Sequence, residues 1–225
     1  MQNQKLLSVI VPAYNEQDMI SKTFDTVKEI LDGAAIPFEL LFIDDGSKDM
    51  TYANISELSK IHSEIRGISF SRNFGKESAI FAGLENASGA CCVIMDCDLQ
   101  HPPATIVEMY RLWEQGYEVV EGKKASRGKE TAFHKICANS FYGIISKATG
   151  IDMANASDFK LLDKRAVDAL LLMPERAPFF RALSSWIGFK TTSVSFEVQE
   201  RTVGDSKWSM WSLTKYAIRN ITSFS

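Results

Sequence analysis

Four polar clusters, each directly behind a short apolar run, constrain this chain more than any other feature. Pro12–Glu16 follows Leu6–Val11, Asp44–Ser47 follows Phe38–Ile43, Ser71–Gly75 follows Ile68–Phe70, and Asp96–His101 follows Cys91–Met95. Such short runs, rich in aliphatic and β-branched residues, have the pattern of strands buried on both faces. Between them lie stretches of helical spacing. Ile20, Phe24, Val27, Ile30 and Leu31 share a face before Gly33, and Ile55, Leu58 and Ile61 share another. Further helices are expected over Lys76–Ala87 and Pro103–Glu114, and a fifth strand at Tyr117–Val120. Asn15 is a fair N-cap for the first helix, with Asp18 in its first turn. This alternation predicts an α/β fold, a Rossmann-like, mostly parallel sheet with helices on both faces. Ligands of open α/β sheets bind outside the carboxyl ends of the strands, where all four polar clusters fall.

The second half changes character. A basic loop is expected at Lys123–Lys129, a long helix over about Thr131–Thr149, a strand at Asp158–Leu162, and helices over Lys164–Leu172 and Phe179–Ile187. Phe189–Val198 alternates like a half-exposed strand, and Ser209–Phe224 reads as a last helix carrying Trp211, Tyr216, Lys215 and Arg219. The net charge of −3 gives no sign of a nucleic-acid partner. Cys91, Cys92, Cys97 and Cys137 lack zinc-type spacing and read as reduced apolar residues, in keeping with a reducing compartment. The N-terminus does not read as a signal peptide, and no run reaches the roughly 18 apolar residues of a membrane span. The abrupt stop at Ile221–Ser225 reads as a piece of a longer chain. No G-x-G-x-x-G follows the first strand and no G-x-x-x-x-G-K-[ST] occurs, so neither a dinucleotide fingerprint nor a P-loop is present.

The Asp96-Cys97-Asp98 step carries the chemistry. A bare pair of loop aspartates often does no more than cap a helix. Here the pair stands at the ligand edge, with Gln100, His101 and the helix-starting Pro102–Pro103 behind it. Carboxylates are hard oxygen donors suited to Mg²⁺ or Mn²⁺, which are usually held by one or two carboxylates plus substrate phosphates. Without a cation, each carboxylate would repel a phosphate charge by roughly 4 kcal/mol at about 4 Å. Lys124, Arg127, Arg201 and Lys207 are the candidates to neutralise the remaining charge, and Gly204 and Ser206 would let the backbone turn around a diphosphate. Such a site stabilises a departing nucleoside diphosphate, which is group transfer from an activated donor.

The ordered set VIVPAYNE, IDDGSKD, SRNFGK, MDCDLQHPP, SDFKLLD and RTVGDSKW resembles the family 2 glycosyltransferases of GT-A fold. Within that family it is most similar to the polyprenyl-phosphate glycosyltransferases, the dolichyl-phosphate mannose synthases and bacterial undecaprenyl-phosphate enzymes. The resemblance implies roles by position. Pro12, Tyr14, Glu16, Ile43 and Asp45, with Asp96, Cys97 and Asp98, would bind the nucleotide. Asp98 and Gln100 would hold the metal, Mg²⁺ or Mn²⁺, and Asp96 would face the donor sugar or ribose. Arg201 and Lys207, with Lys124 or Arg127, would hold the diphosphate, and Asp158 would stand at the acceptor end. Lys124 replaces a common Arg and so loses the bidentate fork; Cys97 replaces Ala, and His101 has no assigned role.

The implied reaction is inverting transfer from a nucleoside-diphosphate sugar to a polyprenyl phosphate on the cytoplasmic face of a membrane. Residues 1–207 would form the catalytic domain, with 1–122 its nucleotide half and 123–207 its acceptor half. Residues 208–225 would form an amphipathic juxtamembrane helix, its aromatics and cations at the head groups. Two other readings stand beside this one: transfer to a sugar hydroxyl of a polysaccharide or glycoconjugate, and a non-catalytic nucleotide-binding domain. UDP-glucose, UDP-N-acetyl sugars and GDP-mannose all remain open as donors, with a lean to a UDP-sugar.

Overall fold

The computed structural model describes residues 5–125, 157–173 and 179–197. The chain starts with β1 (Leu7–Ala13), α1 (Ile20–Gly33), β2 (Phe38–Asp44), α2 (Thr51–Ile61), β3 (Ile65–Ser69), α3 (Lys76–Asn86), β4 (Cys91–Ile94) and α4 (Pro103–Glu114). It continues with β5 (Val119–Lys124), β6 (Lys160–Asp163), α5 (Lys164–Leu171), α6 (Phe180–Trp186) and β7 (Thr191–Phe196). The strands form one sheet in the order β3-β2-β1-β4-β6-β5-β7. β1 pairs in parallel with β2 and β4, β2 with β3, and β5 with β7. β6 runs antiparallel to both β4 and β5, so the sheet is mixed around one reversed strand.

Alternating side chains explain the layers. Val9, Val11, Leu40, Phe42, Cys91, Val93 and Leu161 point to one face, where they pack with Phe24 and Val27 of α1, Ile55 of α2, and Ile106 and Tyr110 of α4. Ile10, Leu41, Ile43, Cys92, Ile94 and Leu162 point to the other, against Ile80 and Leu84 of α3, Val167 of α5, and Phe180 and Leu183 of α6. β1, β2 and β4 are buried on both faces almost throughout. That is why their sequences show unbroken apolar runs. Helices cover both faces, as the sequence predicts.

Three local expectations change. β3 covers Ile65–Ser69, earlier than Ile68–Phe70, because it is an edge strand with Arg66, Gly67 and Ser69 exposed and little apolar signal. β5 runs on to Lys124, so Lys123 and Lys124 belong to a strand, paired with Ser195 and Phe196 of β7, rather than to a basic loop. α1 begins at Ile20 without a side-chain cap, so Asn15 does not cap it and Asp18 lies before its first turn. The expected helices at Thr131–Thr149 and 208–225 lie outside the described residues. No helix among the described residues is long and apolar enough to cross a membrane.

Candidate active site

The loops after β1, β2 and β3 are fastened into one rim. Asn15 takes a left-handed conformation (φ 54°), one that Asn tolerates better than most residues. Its N–H donates to Ser47 Oγ at 2.9 Å, and its Oδ1 accepts the Lys48 N–H at 2.8 Å. Glu16 N–H donates to Thr51 Oγ1 (2.9 Å), and Gln17 Oε1 accepts the Met50 N–H (3.0 Å). Asn15 is therefore a latch between two loops. Asp45 ties in the third loop, its carboxylate accepting the N–H groups of Phe74 at 2.7 Å and Gly75 at 2.9 Å. Burial pushes the Asp45 pKa up, partly opposed by those two bonds. Gly46 permits the contact: a Cβ there would lie 2.4 Å from the Arg72 carbonyl carbon, and its φ is +68°. Tyr14 is exposed on this rim and Pro12 half-buried, while the Ile43 side chain supports it from within the core.

The turn after β4 is held as firmly. Asp96 N–H donates to His101 Nδ1 at 3.3 Å, so the neutral imidazole carries its proton on Nε2. The His101 ring lies 4.7 Å from Phe159 and nearly parallel to it, with Phe196 edge-on at 5.6 Å. Burial lowers its pKa, with the Asp96 carboxylate opposing. No role for His101 is legible in the sequence; in the structure it fixes the backbone of Asp96. The Cys97 carbonyl accepts Thr23 Oγ1–H at 2.7 Å, and burial pushes its thiol up to about 12. Leu99 is left-handed (φ 59°), which closes the turn so that Asp98 Oδ1 accepts the Gln100 N–H at 3.1 Å.

Asp158 and Asp96 meet through Lys76, for which the sequence suggests no role of its own. Lys76, the first residue of α3, places Nζ 2.6 Å from Asp96 Oδ1 and 3.0 Å from Asp158 Oδ2. Arg181 of α6 closes on the other side, with Nε and Nη2 donating to the two Asp158 oxygens at 3.1 Å each. This is the bidentate fork that makes Arg–carboxylate pairs strong. Burial alone would raise the Asp158 pKa, but Lys76 and Arg181 outweigh it and hold the carboxyl far below the usual range. Asp96 shifts the same way: burial pushes it up, and Lys76 then His101 bring it down further. For Lys76, burial acts downward, yet Asp158 and Asp96 drive its pKa well above the ordinary lysine value. The Asp158 side chain is 9% exposed, while Lys76 and Asp96 keep about a third of theirs open at 37% and 33%.

Behind this group lies a second anchor. Lys160 of β6 is wholly buried, with Nζ 2.8 Å from Glu121 Oε1, Ser184 Oγ and Ser185 Oγ. Asp158 lies two residues before β6 and Lys160 is the first residue of that strand. One engages α6 through Arg181, the other through the serines a turn later.

Asp98 and Gln100 stand together on the turn, and their oxygen donors suit a hard divalent cation. Among the described residues no three His, Cys, Asp or Glu side chains gather into a cage. A cation at Asp98 would draw its remaining ligands from donor phosphates and water, as Mg²⁺ sites commonly do. Lys124 is exposed at the end of β5. Arg127, Arg201 and Lys207 lie outside the described residues.

A parallel sheet that turns mixed, with carboxylates after β1, β2 and β4 and the Lys76 and Arg181 cations on Asp96 and Asp158, suits an α/β group-transfer enzyme. The chain belongs to glycosyl transferase family 2, whose model matches residues 8–170. It is 41% identical over 219 residues to the uncharacterised glycosyltransferase YkcC of Bacillus subtilis, covering 97% of this chain and 68% of the relative. It is 36% identical over 220 residues to the prophage bactoprenol glucosyl transferase homologue of Escherichia coli, covering 97% and 72%. Among solved structures, it resembles glucosyl-3-phosphoglycerate synthase from Mycobacterium tuberculosis, crystallised with Mn²⁺, UDP and glucosyl-3-phosphoglycerate. That likeness has a TM-score of 0.70 at 19% identity and covers 97% of this chain and 78% of that one. The mannosyltransferase PcManGT from Pyrobaculum calidifontis, solved with GDP-Man and Mn²⁺, is similar at a TM-score of 0.60 and 20% identity, over 89% of this chain and 59% of that one.

Proposed function

We propose that this glycosyltransferase moves a sugar from a nucleoside-diphosphate sugar to a polyprenyl phosphate at the cytoplasmic face of a membrane, with UDP-glucose the first donor to test. The observation that carries the reading is the state of Asp158. A carboxylate clamped by Arg181 and Lys76, with its pKa held far down, is a poor general base. A sugar hydroxyl needs such a base; a phosphate monoester, with its second pKa near 6, arrives already ionised at neutral pH. The bactoprenol glucosyl transferases among the relatives support the same acceptor class.

In this reading Asp45, Glu16, Pro12 and Tyr14 frame the nucleotide, and Asp96 faces the donor sugar. Asp98 and Gln100 hold Mg²⁺ or Mn²⁺, and Lys124 or Arg127, with Arg201 and Lys207, holds the diphosphate. The cation's chemistry is to neutralise charge on the departing diphosphate. Asp158 keeps Arg181 and Lys76 at the acceptor end. Residues 208–225 are assigned to the membrane surface.

A second reading is transfer to a hydroxyl of a glycoconjugate or a small acceptor. The fold neighbour crystallised with phosphoglyceric acid is the observation behind it. The two separate in an acceptor panel with UDP-glucose and Mn²⁺. UDP release that depends on undecaprenyl phosphate in detergent supports the first. Release that depends on hydroxyl acceptors and ignores undecaprenyl phosphate rejects it.

A further inference from the structure

We infer that Lys76 is the acceptor-anion ligand of this enzyme: its ammonium holds the phosphate oxygen that attacks the donor sugar. The inference rests on the polyprenyl-phosphate reading and assigns to one side chain a contact that reading leaves open.

Position comes first. Asp96 belongs to the donor wall and Asp158 to the acceptor end, and Lys76 Nζ is within bonding distance of both, at 2.6 and 3.0 Å. One ammonium bridging the two walls stands where donor carbon and acceptor oxygen must meet. Its surroundings leave room for a ligand, because the Lys76 side chain is 37% exposed while Asp158 is 9% exposed. An ammonium has three donors, and Asp96 and Asp158 occupy two.

Charge supplies the second argument. In the protein as described, the Lys76 ammonium bridges Asp96 and Asp158, and Arg181 also holds Asp158. Once Asp96 turns to the donor, Lys76 exchanges one carboxylate contact for room to take another anion. A phosphate supplies that anion; a neutral hydroxyl does not. Lysine also suits the task better than arginine would. It is a point charge on a flexible stem, able to swing from Asp96 to an incoming oxygen, whereas the Arg181 fork is committed to Asp158. α3 begins at Lys76, so the positive end of that helix reinforces the same charge.

The step balances without a proton. A phosphate oxygen forms the bond to the anomeric carbon. The bond from that carbon to the diphosphate oxygen breaks, and its electron pair leaves with the diphosphate. Lys76 stays protonated throughout, first against the acceptor oxygen and then against the new phosphodiester.

The test uses the whole protein, calorimetry with a water-soluble five-carbon prenyl phosphate in the presence of UDP and Mg²⁺, and the matching prenyl alcohol as control. Lys76→Met is expected to weaken prenyl-phosphate binding by about tenfold or more, as loss of a charged hydrogen bond does. UDP affinity should change less than about twofold, and Lys76→Arg should recover part of the loss. Undiminished prenyl-phosphate binding in Lys76→Met, or an equal loss of UDP affinity, overturns the assignment. Wild-type protein that binds UDP but not prenyl phosphate overturns the acceptor reading itself, and the assignment with it.

Discussion

The buried Lys160 gives the sharpest test of how the acceptor end is held. Its side chain is 0% exposed and that of Glu121 14%, with 2.8 Å between the charges. Lys160→Met keeps the volume but leaves Glu121 with Ser185 Oγ, at 3.1 Å, in place of a cation. Ser184 and Ser185 each lose a 2.8 Å donor. Breaking one side of a buried pair costs about 3–5 kcal/mol. In a chain of this size each kcal/mol lowers Tm by roughly 2–4 °C, so a drop of roughly 6–20 °C is expected. Urea unfolding followed by circular dichroism reads the free energy directly. The double variant Lys160→Met/Glu121→Gln should recover most of the loss, because it removes the stranded charge. Function gives a second readout. If Lys160 acts by seating α6, its effect on turnover should disappear in an Arg181→Gln background. Strictly additive effects, or a stability loss under about 1 kcal/mol, would refute the anchoring role of Lys160.

Three further outcomes follow from the geometry. Gly46→Ala puts a Cβ 2.4 Å from the Arg72 carbonyl carbon at a left-handed φ; it should cost about 1–3 kcal/mol and weaken nucleotide binding, seen by unfolding and by calorimetry with UDP. Asp158 has a depressed folded-state pKa, so its ionised form contributes stability in full above the unfolded value near 3.9 and loses it only as pH falls through the lower folded value. Arg181→Gln raises that folded pKa, so acid unfolding followed by circular dichroism should move to higher pH. Cys92 and Cys97 have thiols pushed up to about 12 by burial, and Cys91 is raised as well. Peptide-level mass spectrometry should find all three unlabelled by thiol reagents in native protein at pH 8 and labelled after unfolding.

The central strands were legible because burial on both faces writes itself as unbroken apolar sequence, as in Val9–Val11, Leu40–Ile43 and Cys91–Ile94. The carboxylates at the ligand edge were legible too, since each directly follows such a run. β3 begins earlier than its apolar residues suggest, because an edge strand with Arg66 and Gly67 carries little apolar signal. What the sequence hid were pairings between distant residues. Asp158 is 82 positions from Lys76 and 23 from Arg181, and nothing in local spacing announces either contact. Lys160 reads as an interruption of an apolar run until Ser184, Ser185 and Glu121 are seen around it. Asn15 has the composition of a cap, yet its side chain meets Lys48 of the neighbouring loop. The motif SRNFGK pointed to the right loop, but only the fold shows that its lysine lies between the two acidic walls.

The most direct test of the central claim, that Asp158 organises cations and does not act as a base, is the pH dependence of kcat/KM for undecaprenyl phosphate in transfer from UDP-glucose. The account predicts a flat profile across about pH 7–9, with the only acid limb near 6, where the acceptor phosphate itself titrates. A limb between pH 7 and 9 that vanishes in Asp158→Asn would contradict it and return Asp158 to the role of general base.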